Sequence, residues 1–362
     1  MFKYALFFFV LAGFMTNTKA NYFTSESQLV TRYGDDIANF WQHGHFSSFN
    51  GAKNTRINYA IFSHDEIDLE QKNSTVRKCL VISSGRSEGY LKYKELAFDL
   101  FKLGFNVSLI DHRGQGLSER ALENKNKGYV EDFQYYVDDL ANFIESKVYP
   151  LCDKQGEEQK PYLLAHSMGG AIAARYLQDH PDKIQAAVLS SPMFGFNSGG
   201  IPDSIAKPLI NTTAKLNQWF GESPWYFFGH GDYVQSEFDG NLLTHSELRF
   251  QQFNQLYNQT PEMQLGGVTV KWLTESVSAI DKIFENIAKI TTPTLVIQAG
   301  SDKVVKNEAQ TEFCQALHQV HPHSCPNGKP IVIEQAYHEL FFERDSYRQQ
   351  ALSAVKTWFD KH

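Results

Sequence analysis

The chain has 362 residues, 42% of them hydrophobic and 21% charged, which excludes disordered, collagen-like and coiled-coil classes and suits one large domain or a domain with an insertion. Its 34 Lys and Arg against 41 Asp and Glu give a formal charge of −7, with no basic run. Nucleic acid is excluded as a partner, because binding it depends on neutralising phosphates, and no polybasic segment is present to hold anionic headgroups. At the N-terminus, Lys3 precedes an apolar run from Tyr4 to Met15, and small residues stand at Thr18 and Ala20. Residues 1–20 therefore read as a signal peptide cleaved after Ala20, the run being shorter than the roughly 20 residues of a spanning helix. No Cys near Ala20 supports a lipoprotein anchor, so the expected product is an exported protein, periplasmic or secreted.

Short β-branched runs alternating with helical patterns begin near Arg56. Val76 to Ser83 reads as a buried strand ending in the turn Ser84-Gly85-Arg86-Ser87, and Glu95 to Leu103 as a helix. Phe105 to Ile110 is the next strand, running into Asp111-His112-Arg113-Gly114-Gln115-Gly116, with an amphipathic helix at Tyr136 to Val148. Then come strand Lys160 to Ala165, helix Gly169 to His180 and strand Ala186 to Ser190. After a lapse come strand Pro293 to Gln298, helix Glu308 to Gln319, strand Pro330 to Glu334 and helix Asp345 to Phe359. This alternation predicts an α/β fold on a mostly parallel sheet. The lapse, rich in aromatics, predicts a mainly helical insertion, placing a cap or lid at 197–291 and the core at 21–196 and 292–362.

Four cysteines after an export signal permit disulfides; Cys314 with Cys325 is the better pair and Cys79 with Cys152 the weaker, free buried thiols being the alternative. No spacing suits zinc, and His321-Pro322-His323 reads as a loop. Asn-x-Ser/Thr sites occur at Asn73, Asn106, Asn211 and Asn258, of which Asn106 opens a strand-like run and is expected to be accidental.

Ala165-His166-Ser167-Met168-Gly169-Gly170 lies between a strand and a helix, the context of a G-x-S-x-G nucleophile elbow with Ala165 in place of the first Gly. A serine hydroxyl is a weak nucleophile unless a base takes its proton and a carboxylate orients that base. In elbow enzymes the order along the chain is Ser, acid, His. Asp302, just after the Pro293 strand, is the candidate acid, and His338, just after the Pro330 strand, the candidate base. His338 occupies the carboxyl end of the last strand, where open α/β sheets place their sites, whereas Asp302 taken alone could equally be a helix cap. His166 is a rival base that the elbow turns away from the nucleophile, and it is expected to be structural. The oxyanion hole is expected to use the backbone amides of Met168 and Arg86.

Ser84-Gly85-Arg86, Asp111-His112-Arg113-Gly114-Gln115-Gly116-Leu117-Ser118, the elbow, Asp302 and Tyr337-His338-Glu339 together resemble the α/β-hydrolases of the monoacylglycerol lipase group. Leu243-Thr244-His245-Ser246 and Lys271-Trp272-Leu273-Thr274-Glu275-Ser276 narrow the resemblance to bacterial lysophospholipases of the L-two type, over about Val76 to the C-terminus. The resemblance implies an α/β-hydrolase fold with an eight-stranded, mostly parallel sheet, a cap after the sixth strand, and a triad of Ser167, Asp302 and His338. The export signal and Cys325 depart from the L-two pattern and put its membrane association in doubt.

The expected function is hydrolysis of carboxylic esters of lipids, lysophospholipids or monoacylglycerols, through an acyl-enzyme on Ser167. The cap aromatics, among them Trp219, Phe220, Trp225 and Phe228, are expected to cover the acyl chain, some serving only as packing. A lipid ester is thus the expected partner, with room for transient membrane-surface contact. No metal or organic cofactor is implied. A lysophospholipid acyltransferase and a peptidase share the elbow and remain alternatives. A non-catalytic lipid-binding protein would have lost a triad member, and none is lost.

Overall fold

The computed structural model describes residues 23–67, 77–152, 159–197 and 203–362. The expected signal peptide, the Asn73 site, Val76 and most of the 154–160 loop lie outside the described residues.

Among those residues the strands are β1 (His45–Asn50), β2 (Arg56–Phe62), β3 (Lys78–Ser83), β4 (Phe105–Ile110), β5 (Tyr162–His166), β6 (Ala187–Ser190), β7 (Thr294–Ala299) and β8 (Ile331–Ile333). They form one sheet in the order β1-β2-β4-β3-β5-β6-β7-β8. From β4 to β8 every neighbour is parallel, while β1 pairs β2 and β2 pairs β4 antiparallel. The longer helices are α1 (Gly34–Gln42), α2 (Lys94–Lys102), α3 (Gln134–Phe143), α4 (Met168–Asp179), α5 (Asp203–Phe220), α6 (Glu247–Gln259), α7 (Val270–Glu285), α8 (Asn307–Val320) and α9 (Asp345–Lys361).

The central strands are near-continuous apolar runs because both faces are covered. Successive side chains of a strand point to opposite faces, so each strand feeds two cores. Leu80 and Ile82 of β3 pack with Leu96 and Leu100 of α2 and Leu352 and Val355 of α9. Cys79 and Val81 face the other way, toward Val137 and Leu140 of α3 and Ile172 and Leu177 of α4. The hairpin of β1 and β2 extends the sheet beyond what the apolar pattern indicated. β1 is exposed along nearly its whole length and so carries no hydrophobic alternation. Against the hairpin, Phe40 of α1 stacks on Phe62 with ring centroids 4.4 Å apart, and Trp41 meets the same ring tilted at 4.8 Å.

Both cysteine pairs are joined, Cys79 to Cys152 with Cα atoms 5.7 Å apart and Cys314 to Cys325 at 5.3 Å. Asn106 is buried in β4, where its side chain accepts the His64 N–H at 2.9 Å. His321 and His323 bond the carbonyls of Ala288 and Thr291, as loop residues do.

Between β6 and β7 the chain leaves the sheet for α5, α6 and α7. Ser246 and Thr269 cap α6 and α7, their hydroxyls accepting the amides of Arg249 and Trp272 at 3.2 Å each. Arg249 anchors α6 to the core. Its buried guanidinium donates to Glu95 of α2 at 2.8 and 2.9 Å and to Asp345 of α9 at 3.0 Å. Arg348 beside it donates to Asp99 at 2.8 Å, so each buried cation has acids in reach. Among the described residues no helix is long and apolar enough to cross a membrane.

Candidate active site

Ser167 is the single residue between β5 and α4, and the turn it makes forces its backbone to φ 52° and ψ −117°, a region that costs a non-glycine residue free energy. Surrounding hydrogen bonds hold it there. Its N–H donates to the Ser190 carbonyl at 3.0 Å, and its carbonyl accepts the amides of Gly170 and Met193 at 2.9 and 3.0 Å. Gly169 must lack a side chain, since a Cβ there would lie 2.3 Å from the Ser83 carbonyl oxygen and 2.5 Å from that of Ser84. Ala165, in contrast, is a fully buried strand residue flanked by Ser83 and Leu189, and its methyl fits.

The loops after β8 and β7 deliver the other two side chains. His338 Nε2 lies 2.9 Å from Ser167 Oγ, and His338 Nδ1 lies 2.7 Å from Asp302 Oδ2. The second oxygen of Asp302 accepts the amides of Val304 and Val305 at 2.8 and 3.1 Å. Burial pushes the Asp302 carboxyl up, but His338 and these amides outweigh it and hold the pKa below the ordinary value. An ionised Asp302 keeps the proton of a neutral imidazole on Nδ1, leaving Nε2 to accept the serine proton. His166 makes no hydrogen bond to Ser167. Its ring lies 4.9 Å from that of His338 with Nδ1 toward the Ser190 carbonyl, and burial lowers its pKa to about 4, opposed by Glu88 and aided by His338 and Lys92.

The turn after β3 lies on the elbow, as a Cβ on Gly85 would come within 2.9 Å of His166 Cδ2. Gly85 donates its amide to Glu88 Oε2 at 2.6 Å, and Gln115 of the Asp111–Gly116 loop donates to the carbonyls of Gly85 and Glu88 at 2.6 and 3.0 Å. Those bonds fix the turn that carries Arg86. Met168 opens α4, so its N–H has no carbonyl a turn earlier to bond.

A buried charged cluster that no motif announces lies beside the site. Lys92 Nζ donates to Glu88 and Glu339 at 2.6 Å each, and Tyr93 donates to Glu88 at 2.6 Å. Burial would raise the Glu88 pKa, yet Lys92, His166 and these hydrogen bonds bring it down to about 2. Glu339 moves the other way. Burial raises it, with Lys92 opposing and Glu88 adding. Glu88 and Lys92 stand four apart around the Gly89 turn, and Glu339 follows His338, a spacing that hints at the cluster only after the fold is known.

A cavity of about 970 Å³ opens at Ser167 and His338 and runs beneath the cap. Its apolar wall includes Phe194 and Phe196 from the loop after β6, Ile210 of α5, and Trp272, Ile280 and Phe284 of α7. The expected acyl-covering residues Trp219, Phe220, Trp225 and Phe228 are not on this wall. They lie at the end of α5 and in the following loop, and Trp219, Phe220 and Phe228 are 71, 73 and 65% exposed. The bias of α5 toward aromatics at its C-terminus hid which face turns inward; Ile210, buried at 7% exposure, marks that face.

A family model described as serine aminopeptidase, S33, matches residues 74–345. Lysophospholipase L2 of Escherichia coli K12 is 37% identical over 326 residues, spanning 90% of each chain. Monoglyceride lipase of Rattus norvegicus is 26% identical over 289 residues, 79% of this chain and 83% of its own. Among solved structures, a soluble variant of monoglyceride lipase from Saccharomyces cerevisiae superposes with a TM-score of 0.64 at 17% identity, covering 88% of this chain and 94% of its own. A monoacylglycerol lipase from Paleococcus ferrophilus gives 0.61 at 19%, covering 84 and 99%. These structures share the α/β-hydrolase fold.

Proposed function

As the chain belongs to the serine aminopeptidase S33 family of α/β-hydrolases, we propose that it is a carboxylic ester hydrolase acting on single-chain lipids, lysophospholipids or monoacylglycerols, through Ser167. The observation that carries this reading is the serine, imidazole and carboxylate relay standing in the wall of a large, mostly apolar cavity. A cavity of that size with a largely apolar wall favours an acyl chain over a peptide, each buried CH₂ contributing roughly 0.8 kcal/mol.

Ser167 Oγ attacks the ester carbonyl while His338 Nε2 takes its proton, and Asp302 stabilises the imidazolium. The amides of Met168 and Arg86 receive the oxyanion, each such donor contributing about 3 kcal/mol. His338 returns the proton to the departing alcohol. Water, deprotonated by the same imidazole, then releases the fatty acid from the acyl-enzyme. Ser167→Ala is expected to abolish hydrolysis of a lysophospholipid and of a monoacylglycerol alike; retained turnover of either would refute the assignment.

Export is part of this proposal, supported by the leader-like pattern of residues 1–20 and by two disulfides, which suit an oxidising compartment. The exposed Trp219, Phe220 and Phe228 at one end of the cap support transient contact with a lipid surface.

A further inference from the structure

Beside the acyl cavity lies a second chamber of about 410 Å³. The two share Arg86, Ser87, Glu88, His230, Leu243 and Glu339, so they meet next to the nucleophile. Their walls differ in chemistry. Where the first is mostly aliphatic and aromatic, the second adds Tyr233, Asn254, Tyr257 and Asp232. An ester held with its acyl chain in the first chamber directs its alcohol portion toward the second.

Of the two basic side chains Lys92 and Arg86 on that wall, only Lys92 has carboxylate partners among the described residues. Glu88 and Glu339 share Lys92, whose Nζ lies 2.6 Å from each. Asp232, at the exposed side, accepts from Asn124 at 3.0 Å and from the Tyr226 hydroxyl. Arg86 has no carboxylate partner among the described residues. Its Nη2 donates to the Gly266 carbonyl, and its guanidinium carbon sits 5.5 Å from the centre of the Trp272 ring. Its Nε is buried without a hydrogen-bond partner. Desolvation by burial lowers its pKa to about 10, so it stays charged at neutral pH. Contrast Arg249 and Arg348, which each have acids within 3.0 Å. A cation held in a low-dielectric wall without a counter-ion is costly, and an anion arriving with the substrate offsets that cost. The planar fork of a guanidinium suits a phosphate, and the bond to the Gly266 carbonyl and the contact with the Trp272 ring hold it in place.

We infer that the second chamber receives the leaving headgroup and that the Arg86 side chain binds its phosphodiester anion, making this enzyme selective for lysophospholipids over monoacylglycerols. This rests on the lipid-ester reading above and deepens it. Arg86 then has two separable parts, a backbone amide for the oxyanion and a side chain for the headgroup.

The test compares kcat/KM for lysophosphatidylethanolamine and for a monoacylglycerol of the same acyl chain in the wild type, Arg86→Gln and Arg86→Lys. The lysophospholipid-to-monoacylglycerol ratio should fall at least about thirtyfold in Arg86→Gln and less in Arg86→Lys. A ratio that stays within about threefold of wild type in both variants overturns the assignment while leaving ester hydrolysis standing. A wild type that hydrolyses neither lipid overturns both readings. As a second measurement, glycerophosphoethanolamine, inorganic phosphate and glycerol are tested as inhibitors of a neutral water-soluble ester. The phosphodiester should compete in the wild type and lose potency in Arg86→Gln, with glycerol affecting the two equally. Inorganic phosphate competing as well as the diester would indicate a free-anion site and overturn the headgroup assignment.

Discussion

Glu343 accepts the His245 ring nitrogen Nδ1 at 2.6 Å and so fastens the cap to the loop that carries the base. The same buried carboxylate accepts the amides of Tyr337 at 2.8 Å, Arg344 at 2.8 Å and His245 at 3.1 Å. The His245 ring also lies 3.8 Å from that of Tyr337. Two further bonds continue the seam, Glu339 N–H to the Leu243 carbonyl at 2.9 Å and the Thr244 hydroxyl to the Phe342 carbonyl at 2.8 Å. The Leu243–Ser246 segment, conspicuous in the sequence without a role, thus braces the loop holding His338.

Removing that brace should impair chemistry more than binding. Glu343→Ala strips an acceptor from three amides and lets His338 drift, so kcat should fall at least about tenfold, equivalent to about 1.4 kcal/mol, with KM changing far less. Glu343→Gln, which keeps one acceptor oxygen, should recover part of the loss. Steady-state kinetics on the two variants check this; equal losses in both would mean that the carboxylate does not position the loop.

Gly169→Ala should damage the elbow itself. Its Cβ would meet backbone oxygens of Ser83 and Ser84 at 2.3 and 2.5 Å, and neither can rotate away. A loss of about 3 kcal/mol or more is expected, at the upper end for overpacked sites. Chemical denaturation measures it, and a variant of wild-type stability would show that the helix can shift without cost.

Both disulfides should stabilise the fold, and unequally. Chain-entropy reasoning assigns about 4 kcal/mol to closing the 73-residue separation of Cys79 and Cys152 and about 3 kcal/mol to the 11-residue separation of Cys314 and Cys325. Thermal unfolding of the two paired Cys→Ser variants should therefore show the larger drop for Cys79 and Cys152. The reverse order would indicate that the native-state contacts of each bridge outweigh loop closure.

Acid should destabilise the protein well above the carboxylate range. Burial lowers the pKa of His166 to about 4 and that of His112 to about 3, so both are neutral when folded, whereas an unfolded histidine protonates near 6.5. Between about pH 6.5 and pH 4 these two histidines bind more protons in the unfolded chain and outweigh Asp111, whose carboxyl is pushed up by burial to about 7 and which acts the other way, so stability falls as pH falls. Asp302, whose folded pKa is depressed, adds a loss in the same direction at lower pH. Melting temperature followed from pH 7 to pH 4 checks the slope; a flat or rising profile toward acid would contradict it.

The elbow was legible in the sequence because its requirements are local: a strand, a serine in a forced turn, and a glycine where Gly169 meets the β3 carbonyls. Asp302 and His338 were legible because β7 and β8 end just before them. The wall of the acyl cavity was not, since Phe194, Ile210 and Trp272 come from separate elements and only packing chooses the inward face over Trp219 and Phe220. The Lys92 cluster and the Glu343 brace were hidden for a related reason. Their partners lie 247 residues apart for Lys92 and Glu339 and 98 for His245 and Glu343, and no periodicity joins them.

The most direct measurement of the central relationship, the 2.9 Å approach of His338 Nε2 to Ser167 Oγ, is labelling by a fluorophosphonate followed by peptide mass analysis. One equivalent should appear on Ser167 in the wild type, none in Ser167→Ala, and labelling of His338→Ala should be slower by orders of magnitude. Labelling at another residue, or an undiminished rate without His338, would contradict the assignment of Ser167 as a nucleophile activated by that imidazole.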